Sequence, residues 1–479
     1  MTTHDPSSLE HGGLEAKVLS DLAARSDHAT AKATIEAALR AGFATRVTSE
    51  AGRAIVLRRV MQRHSALVQS IIDRQACRKD APDLCELHTI CLETGFAPDA
   101  AQQRAIETIL SSPISIVHGG PGCGKTTVAG IAARYIERAE PSHRQVVVAF
   151  SAKVAMETAR KCGLEGSTMH AFAGLAPGEE MQDTDIVRDD VGTLYVDEAF
   201  SAQPALLNAM FRTTPPHCRI VFLGDPMQLA PIGDGRALHD ALAIGLIPSA
   251  RLETSHRLGG NSHLSKQAAR IASGQQPTAG PNLAILESGL GQSQSQAATE
   301  RAAYAVRLHK EAIARRRSCV MLTPVQYGIS GHVSLNALVS RGSPRVGDPI
   351  VAIETDRDGR WRNGQRGTVL ASALKQLTIQ METGKVVDAV WGERGFLLAH
   401  AMSAHRAQGL EYDESILLLT RENERTATRQ MMVSAMTRAR KCTIITEPGV
   451  LAKIVSRDQL HDRPRTLQAA IERRTDKAR

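Results

Sequence analysis

The stretch Ile114-Ser115-Ile116-Val117-His118-Gly119-Gly120-Pro121-Gly122-Cys123-Gly124-Lys125-Thr126-Thr127 decides how this chain folds. An apolar, β-branched run enters a glycine-rich turn. Apolar residues then recur at helical spacing, at Val128, Ile131, Ala132, Tyr135 and Ile136. The order is strand, loop, helix, with Gly119, Gly124, Lys125 and Thr126 at the G-x-x-x-x-G-K-[ST] positions of a phosphate-binding loop. Residues Gly120, Pro121, Gly122, Cys123, Gly124, Lys125, Thr126 and Thr127 would wrap a polyphosphate, with backbone N–H groups and the helix N-terminus facing its oxygens. Lys125 can reach the β and γ phosphates, and the Thr126 hydroxyl can ligate Mg²⁺. A chance glycine-rich turn is the bland alternative; the strand before it and the helix after it argue against that. The prediction is a nucleoside-triphosphate site.

Further strands place chemistry around it. Val146 to Phe150 reads as a buried parallel strand, and Gly192 to Val196 as another, closing on Asp197-Glu198. A carboxylate at a strand's C-terminal end beside a phosphate loop can hold Mg²⁺, as Asp197 would with Thr126, and Glu198 can serve as general base for the attacking water. An isolated Asp-Glu pair is otherwise a solvated strand end. A strand over Arg219 to Leu223 leads to Gly224-Asp225-Pro226-Met227-Gln228, where the Gln228 amide can sense a γ-phosphate. Just upstream of the loop, Gln102 lies on a helix over 99–110, and its amide offers a donor and an acceptor to an adenine edge.

At 479 residues, with 42% hydrophobic and 23% charged residues, the chain has the composition of a multi-domain globular protein. No apolar run approaches the ~20 residues that cross a bilayer, and the polar N-terminus lacks a signal-peptide core, so no membrane and a cytoplasmic location are expected. Lys plus Arg number 58 against 50 acids, a balance of +8 that favours a polyanionic partner. Aromatics at 3% predict that a nucleic-acid strand is held through its backbone, with few stacking platforms. The eight cysteines are scattered and read as reduced thiols. Cys77, Cys85, His88 and Cys91 are a candidate zinc set, but the last three fall at i, i+3, i+6, the spacing of a packed helix face.

The N-terminal 1–95 reads as a helical, winged-helix-like domain. Its first helix carries Leu14, Val18, Leu19 and Leu22, its second Ile35, Ala38 and Leu39. A hairpin follows over 43–57. Such modules often touch DNA, and Arg53, Arg58, Arg59 and Arg63 could contact phosphates or simply form a solvated basic face. Residues 96–275 form the first α/β unit. The Gly/Gln/Ser-rich 276–300 reads as a linker and 301–460 as a second α/β unit, without a phosphate loop, interrupted by a β-rich insertion over about 347–392. Residues 461–479 form a basic tail, a surface helix or disorder.

Gly-Gly-Pro-Gly-x-Gly-Lys-Thr at 119–126, Val-Asp-Glu-Ala at 196–199, and Gly-Asp-x-x-Gln-Leu-x-Pro-Ile-Gly at 224–233 resemble the RecD-like group of superfamily 1 helicases. So do Arg257 with Ser262, Ala268 and Gly274, the segment 400–413 with His405, Gln408, Gly409 and Glu411, and Ala435-Met436-Thr437-Arg438-Ala439-Arg440. The resemblance spans about 96 to 450. It implies an α/β fold of two tandem RecA-like domains with a small β-barrel inserted in the second, and an ATP hydrolase moving 5′→3′ on single-stranded and forked DNA. It further implies that Arg438 crosses the cleft as an arginine finger, with Arg257 as a second cleft arginine. Gln408, Gly409 and Glu411 would join the nucleotide site, and Ser151, Lys153, Thr168, His170, Ser403 and His405 would contact the strand. The chain departs from the family at Phe150-Ser151-Ala152-Lys153, where Pro-Thr-Gly-Arg is usual, with Ser403 for Thr and Arg406 for Lys. The segment 171–190, where relatives carry a duplex-splitting hairpin, is short and acidic, so weak strand separation is expected. Two other readings stay open: an accessory motor recruited to a larger nucleoprotein complex, and an ATP-gated DNA-binding regulator.

Overall fold

The computed structural model describes residues 13–14, 28–49, 52–77, 79–175, 186–231, 236–253, 263–288, 294–356, 358–392, 395–458, 460–461, 463 and 465–478. The chain opens with a three-stranded antiparallel sheet of order β1-β3-β2, comprising β1 (Gly13–Leu14), β2 (Ala44–Ser49) and β3 (Gly52–Leu57). The expected hairpin is therefore present, and the helix His28–Arg40 precedes it. Of the four residues expected on the first helix, Leu14 alone is described. Leu14 pairs as a strand with Ala54, because the free edge of β3 accepts a third ladder, while Val18, Leu19 and Leu22 lie outside the described residues. The following helix, Arg58–Gln75, turns Val60, Leu67, Val68 and Ile71 inward.

Arg74 fastens that helix to the first lobe. Its guanidinium is buried and donates to the carbonyls of Phe211, Thr214, Pro215 and Cys218, the frayed C-terminal end of the helix Pro204–Thr213. A buried cation is tolerable there because orphan carbonyls at a helix C-terminus surround it.

The first lobe is a six-stranded parallel sheet of order β6-β5-β7-β8-β4-β9. Its strands are β4 (Ile114–Gly119), β5 (Arg144–Ala149), β6 (Glu165–Thr168), β7 (Val191–Asp197), β8 (Arg219–Gly224) and β9 (Ser249–Leu252). Both faces carry helices, so β4, β7 and β8 are continuous apolar runs rather than alternating ones. All strands end at one edge, which is where an open parallel sheet binds ligands.

The second lobe has the parallel order β10-β19-β18-β11-β17, with β10 (Leu283–Glu287), β11 (Cys319–Leu322), β17 (Ala401–Met402), β18 (Tyr412–Leu419) and β19 (Ala439–Thr446). The expected linker at 276–300 therefore contains an edge strand. Leu283, Ile285 and Glu287 register against Cys442, Ile444 and Thr446, and a helix begins at Gln294. Composition hid this strand, because its five residues sit among flanking glycines and polar residues. Between β11 and β17 a five-stranded antiparallel sheet, β15-β14-β13-β12-β16, supplies the small barrel: β12 (Pro349–Ala352), β13 (Arg366–Ala373), β14 (Gln376–Met381), β15 (Val386–Val390) and β16 (Phe396–Leu398). Its own core holds Ile350, Trp361, Val369, Ile379 and Phe396.

The basic tail is a docked helix, Thr466–Ala478. Leu467 and Ala470 enter the core shared by the N-terminal sheet and first lobe. Thr466 is fully buried, and its Oγ1 lies 2.8 Å from His64 Nε2, while His64 Nδ1 lies 2.9 Å from the Val60 carbonyl. A carbonyl only accepts, so Nδ1 carries the proton and the Thr466 hydroxyl donates to Nε2. A helix was one of the two forms expected of this tail; its docking was not, because two apolar residues on one helical face suffice for it. Among the described residues no helix is long and apolar enough to cross a membrane. Leu467→Ala should cost about 3 kcal/mol of stability, read as a lowered urea midpoint with unchanged slope.

Candidate active site

The cleft between the lobes is lined by Pro121, Gly122, Lys125, Thr126, Asp197, Glu198, Asp225, Gln228, Glu411 and Arg438, with Val154, Thr158 and Gly409 at its sides. Six segments of the two lobes thus converge there. The loop is held by close packing: a Cβ at Gly119 would stand 2.4 Å from the Leu252 carbonyl oxygen, so only glycine lets β4 and β9 close there. Cys123 is buried beneath the loop, and the helix Lys125–Ala139 buries Val128, Ile131, Ala132 and Ile136. Lys125 Nζ donates to the carbonyls of Gly119 at 2.7 Å and Gly120 at 3.0 Å, so it lies across the mouth of the loop.

Gln102 abuts this loop. Its Oε1 accepts from the Asp99 N–H at 3.0 Å and completes a capping box with Asp99, and a Cβ built on Gly124 would lie 2.9 Å from its Nε2. The amide oxygen that the sequence offered to adenine is thus engaged in capping its own helix.

The carboxylates are positioned by hydrogen bonds that the sequence did not reveal. Asp197 ends β7 and is buried. Its Oδ2 accepts from Thr158 Oγ1 at 2.6 Å and its Oδ1 from the Glu198 N–H at 2.8 Å. Thr158 comes from the helix Ala152–Cys162, 39 residues earlier. Glu198 has φ 52°, a left-handed conformation that costs a non-glycine residue about 1 kcal/mol and here swings its carboxylate toward the cleft. Burial raises its pKa above the ordinary 4.5, with Asp197 and Asp225 pushing the same way, while Arg438 and Lys125 oppose them. Asp225 is also raised by burial, although Lys125, the Met227 N–H, Arg438 and the Gln228 amide all favour its charged form.

Arg438 reaches this group from the second lobe. It is 7% exposed, and its Nε donates to the Ser434 carbonyl at 3.0 Å, which fixes the guanidinium within the electrostatic reach of Glu198 and Asp225. Opposite it, Gly409 (φ 71°) lies directly against Val154, whose Cγ2 would sit 2.3 Å from an added Cβ. This close approach joins the 403–411 segment to the first lobe. Beside it, Gln408 Nε2 is buried without a hydrogen-bond partner, an orphan donor at the margin of the cleft. Arg257 and Ser262 lie outside the described residues, as do 176–185 of the acidic 171–190 segment and Gly233 of the Gln228 motif.

The expected strand contacts mostly have local work already assigned. Ser151 Oγ accepts from the Val154 N–H at 3.2 Å, Thr168 Oγ1 from the Ala171 N–H at 3.1 Å, and Ser403 Oγ from the Arg406 N–H at 3.3 Å. Lys153 pairs across to the barrel, with Nζ 3.3 Å from Glu382 Oε2. Burial lowers the pKa of His170 and, with Arg463 nearby, that of His405. Thr158, Asp225 and Glu382 were missed as site residues. Asp225 stood inside a quoted motif, but nothing in the local sequence marks the other two. In the candidate zinc set, Cys91 is buried in the core and Cys85 exposed, and no group of three ligating side chains converges among the described residues.

Each lobe matches a known protein family. A family model for an AAA domain matches residues 97–287, and one for a viral superfamily 1 RNA helicase core domain matches 310–447. The RecBCD enzyme subunit RecD of Mycobacterium tuberculosis is 28% identical over 431 residues, 78% of this chain and 73% of that protein. The ATP-dependent RecD2 DNA helicase of Deinococcus radiodurans is 26% identical over 358 residues, 71% of this chain and 47% of that one. A Bacteroides Pif1 helicase structure with ADP-AlF3 and single-stranded DNA aligns over 80% of this chain and 98% of that one, at 14% identity and a TM-score of 0.44.

The sign of the Glu198 shift gives a test. A carboxylate with a raised folded pKa leaves stability intact below its unfolded value and removes it as pH rises toward the folded one. Glu198→Gln should therefore melt higher than the wild type at pH 8, with the gain vanishing below pH 4.5. Thermal melts across that range would check it.

Proposed function

We propose that this chain, a relative of the RecD-like superfamily 1 helicases, is an ATP-dependent DNA helicase that moves 5′→3′ along single-stranded DNA and opens forked duplex. The observation that carries the proposal is one cleft holding a phosphate loop and carboxylates from one lobe and Arg438 from the other. An arginine supplied across a movable interface makes hydrolysis depend on closure.

In this mechanism Lys125 exchanges the Gly119 and Gly120 carbonyls for the β and γ phosphates of ATP. Glu198 accepts a proton from the attacking water. Burial favours its neutral form, so the approach of Arg438 both restores its charge and stabilises the transferring phosphoryl group. Gln228, bonded to Asp225, senses the γ-phosphate. Thr126 and Asp197 offer hard oxygens in the same pocket, a donor set that suits Mg²⁺ with water filling its other positions. Mg²⁺ there would neutralise the β and γ oxygens. Gln102, Gln408, Gly409 and Glu411 complete the nucleotide site, with the orphan Gln408 amide as a donor to the nucleotide. Each cycle of closure at the Gly409–Val154 contact moves the rim residues Ser151, Lys153, Thr168 and His170 relative to Ser403 and His405. A cytoplasmic site of action suits a motor on DNA.

A second reading is an accessory motor within a larger nucleoprotein machine. It is favoured by the Mycobacterium tuberculosis relative, which is named as a subunit of an enzyme complex.

Forked duplexes with a 5′ or a 3′ tail separate these readings. Unwinding from the 5′ tail, lost in Lys125→Ala together with DNA-stimulated ATPase, is the expected result. DNA-stimulated ATPase without unwinding would favour the accessory motor, and no stimulation by DNA would sink both. Arg438→Ala should lower kcat about 10³-fold while leaving nucleotide binding nearly unchanged, as measured by turnover beside a fluorescent-nucleotide titration.

A further inference from the structure

The scarcity of aromatic residues makes the placement of each exposed ring informative. Of the eight phenylalanines, Phe43 and Phe150 are the two exposed among the described residues, and Phe150 is 54% exposed. It stands one residue beyond the C-terminal end of β5, at the ligand-binding edge of the first lobe's sheet. Its neighbour there is the end of β6, since Ala149 registers with Thr168. Beyond Thr168 comes His170, whose ring meets Phe150 edge-on with centroids 5.6 Å apart and planes at 76°.

An edge-on partner orients a ring without covering both of its faces. His170 is half-buried, and burial lowers its pKa, so it adds no charge to the contact. Ser151, directly after Phe150, caps the helix Ala152–Cys162 through the Val154 N–H, so the backbone carrying the ring is anchored. Val154 in turn touches Gly409 across the cleft. Phe150 is therefore a rigid, half-open aromatic ring at the rim beside the interlobe contact.

We propose that Phe150, oriented by His170, is a base-stacking platform for the single strand on the first lobe. This rests on the reading of the chain as a single-strand motor. It names the base face as what this lobe holds, whereas hydroxyls at Ser151 and Thr168 already serve as helix caps. Stacking is tolerant of sequence because every base offers a π face, which suits a motor that must pass any sequence. Phe150 also stands where the resembling family usually has proline, so the platform is a property of this chain.

The test is fluorescence-anisotropy titration of wild type, Phe150→Ala, Phe150→Leu and Phe150→Trp. The probes are a labelled single-stranded oligonucleotide and the same backbone carrying abasic sites. Thermal melts establish that each variant is folded. Phe150→Ala and Phe150→Leu should bind the ordinary strand about 10-fold more weakly, Phe150→Trp should bind like wild type, and all four should bind the abasic strand alike. Equal affinity of wild type and Phe150→Ala for the ordinary strand overturns the platform while leaving the motor reading intact. Equal weakening on both strands also overturns it, because the loss then follows the backbone. A wild type that binds neither strand overturns the motor reading itself.

Discussion

Three carboxylates, Asp197, Glu198 and Asp225, share one cleft with Lys125 and Arg438, and the rest of the structure depends on holding that unequal set of charges together. Each acid loses solvation there, and no single partner restores it. The balance is spread over fixed groups: Thr158 and the Glu198 N–H on Asp197, the Met227 N–H and Gln228 on Asp225, and Arg438 on Glu198. The last of these comes from the other lobe, so the charge state of Glu198 is coupled to the position of Arg438. Local strain at Glu198 belongs to the same arrangement, since a relaxed backbone would turn that side chain elsewhere.

Such a site demands a stiff frame around a movable joint. The first lobe supplies stiffness through a fully parallel sheet covered on both faces, extended by the N-terminal sheet through Arg74 and its ring of carbonyl acceptors. At the joint Gly409 meets Val154, Lys153 reaches Glu382 of the barrel, and Leu229 and the helix His263–Ala272 enter the second lobe's core. The C-terminal helix adds a tether. After the helix Val450–Ser456 of the second lobe, the chain returns to bury Leu467 and Ala470 against the N-terminal region, so lobe opening is bounded by covalent connection at both ends of the second lobe. An exposed pair such as Lys153–Glu382 adds little stability by itself and can break and reform as lobes move.

Much of the frame was legible in the sequence because it rests on short-range rules. The loop at 119–126, the strand ending in Asp197-Glu198 and the hairpin over 43–57 each carry their signal within a few residues. The readings that failed depended on long-range partners. β10 is a strand because β19 offers it an edge, the tail is a helix with a buried face because the N-terminal core accepts Leu467, and Leu14 is extended because β3 had an unpaired side.

The sequence by itself determined a glycine loop with Lys125 and Thr126 and acids at a strand end, both fixed by residue type and local spacing, while the resemblance alone pointed to Arg438 in the second unit. Only the tertiary structure decided which of these groups meet and what each has left to offer. Thr158 and Asp197 are 39 positions apart, and Arg438 stands 240 positions after Glu198. Hydroxyls and amides that a motif presents as ligands are committed to caps and turns once the chain is folded. The physical reason is that hydrogen bonding and desolvation are settled by neighbours in space, which a linear pattern does not specify.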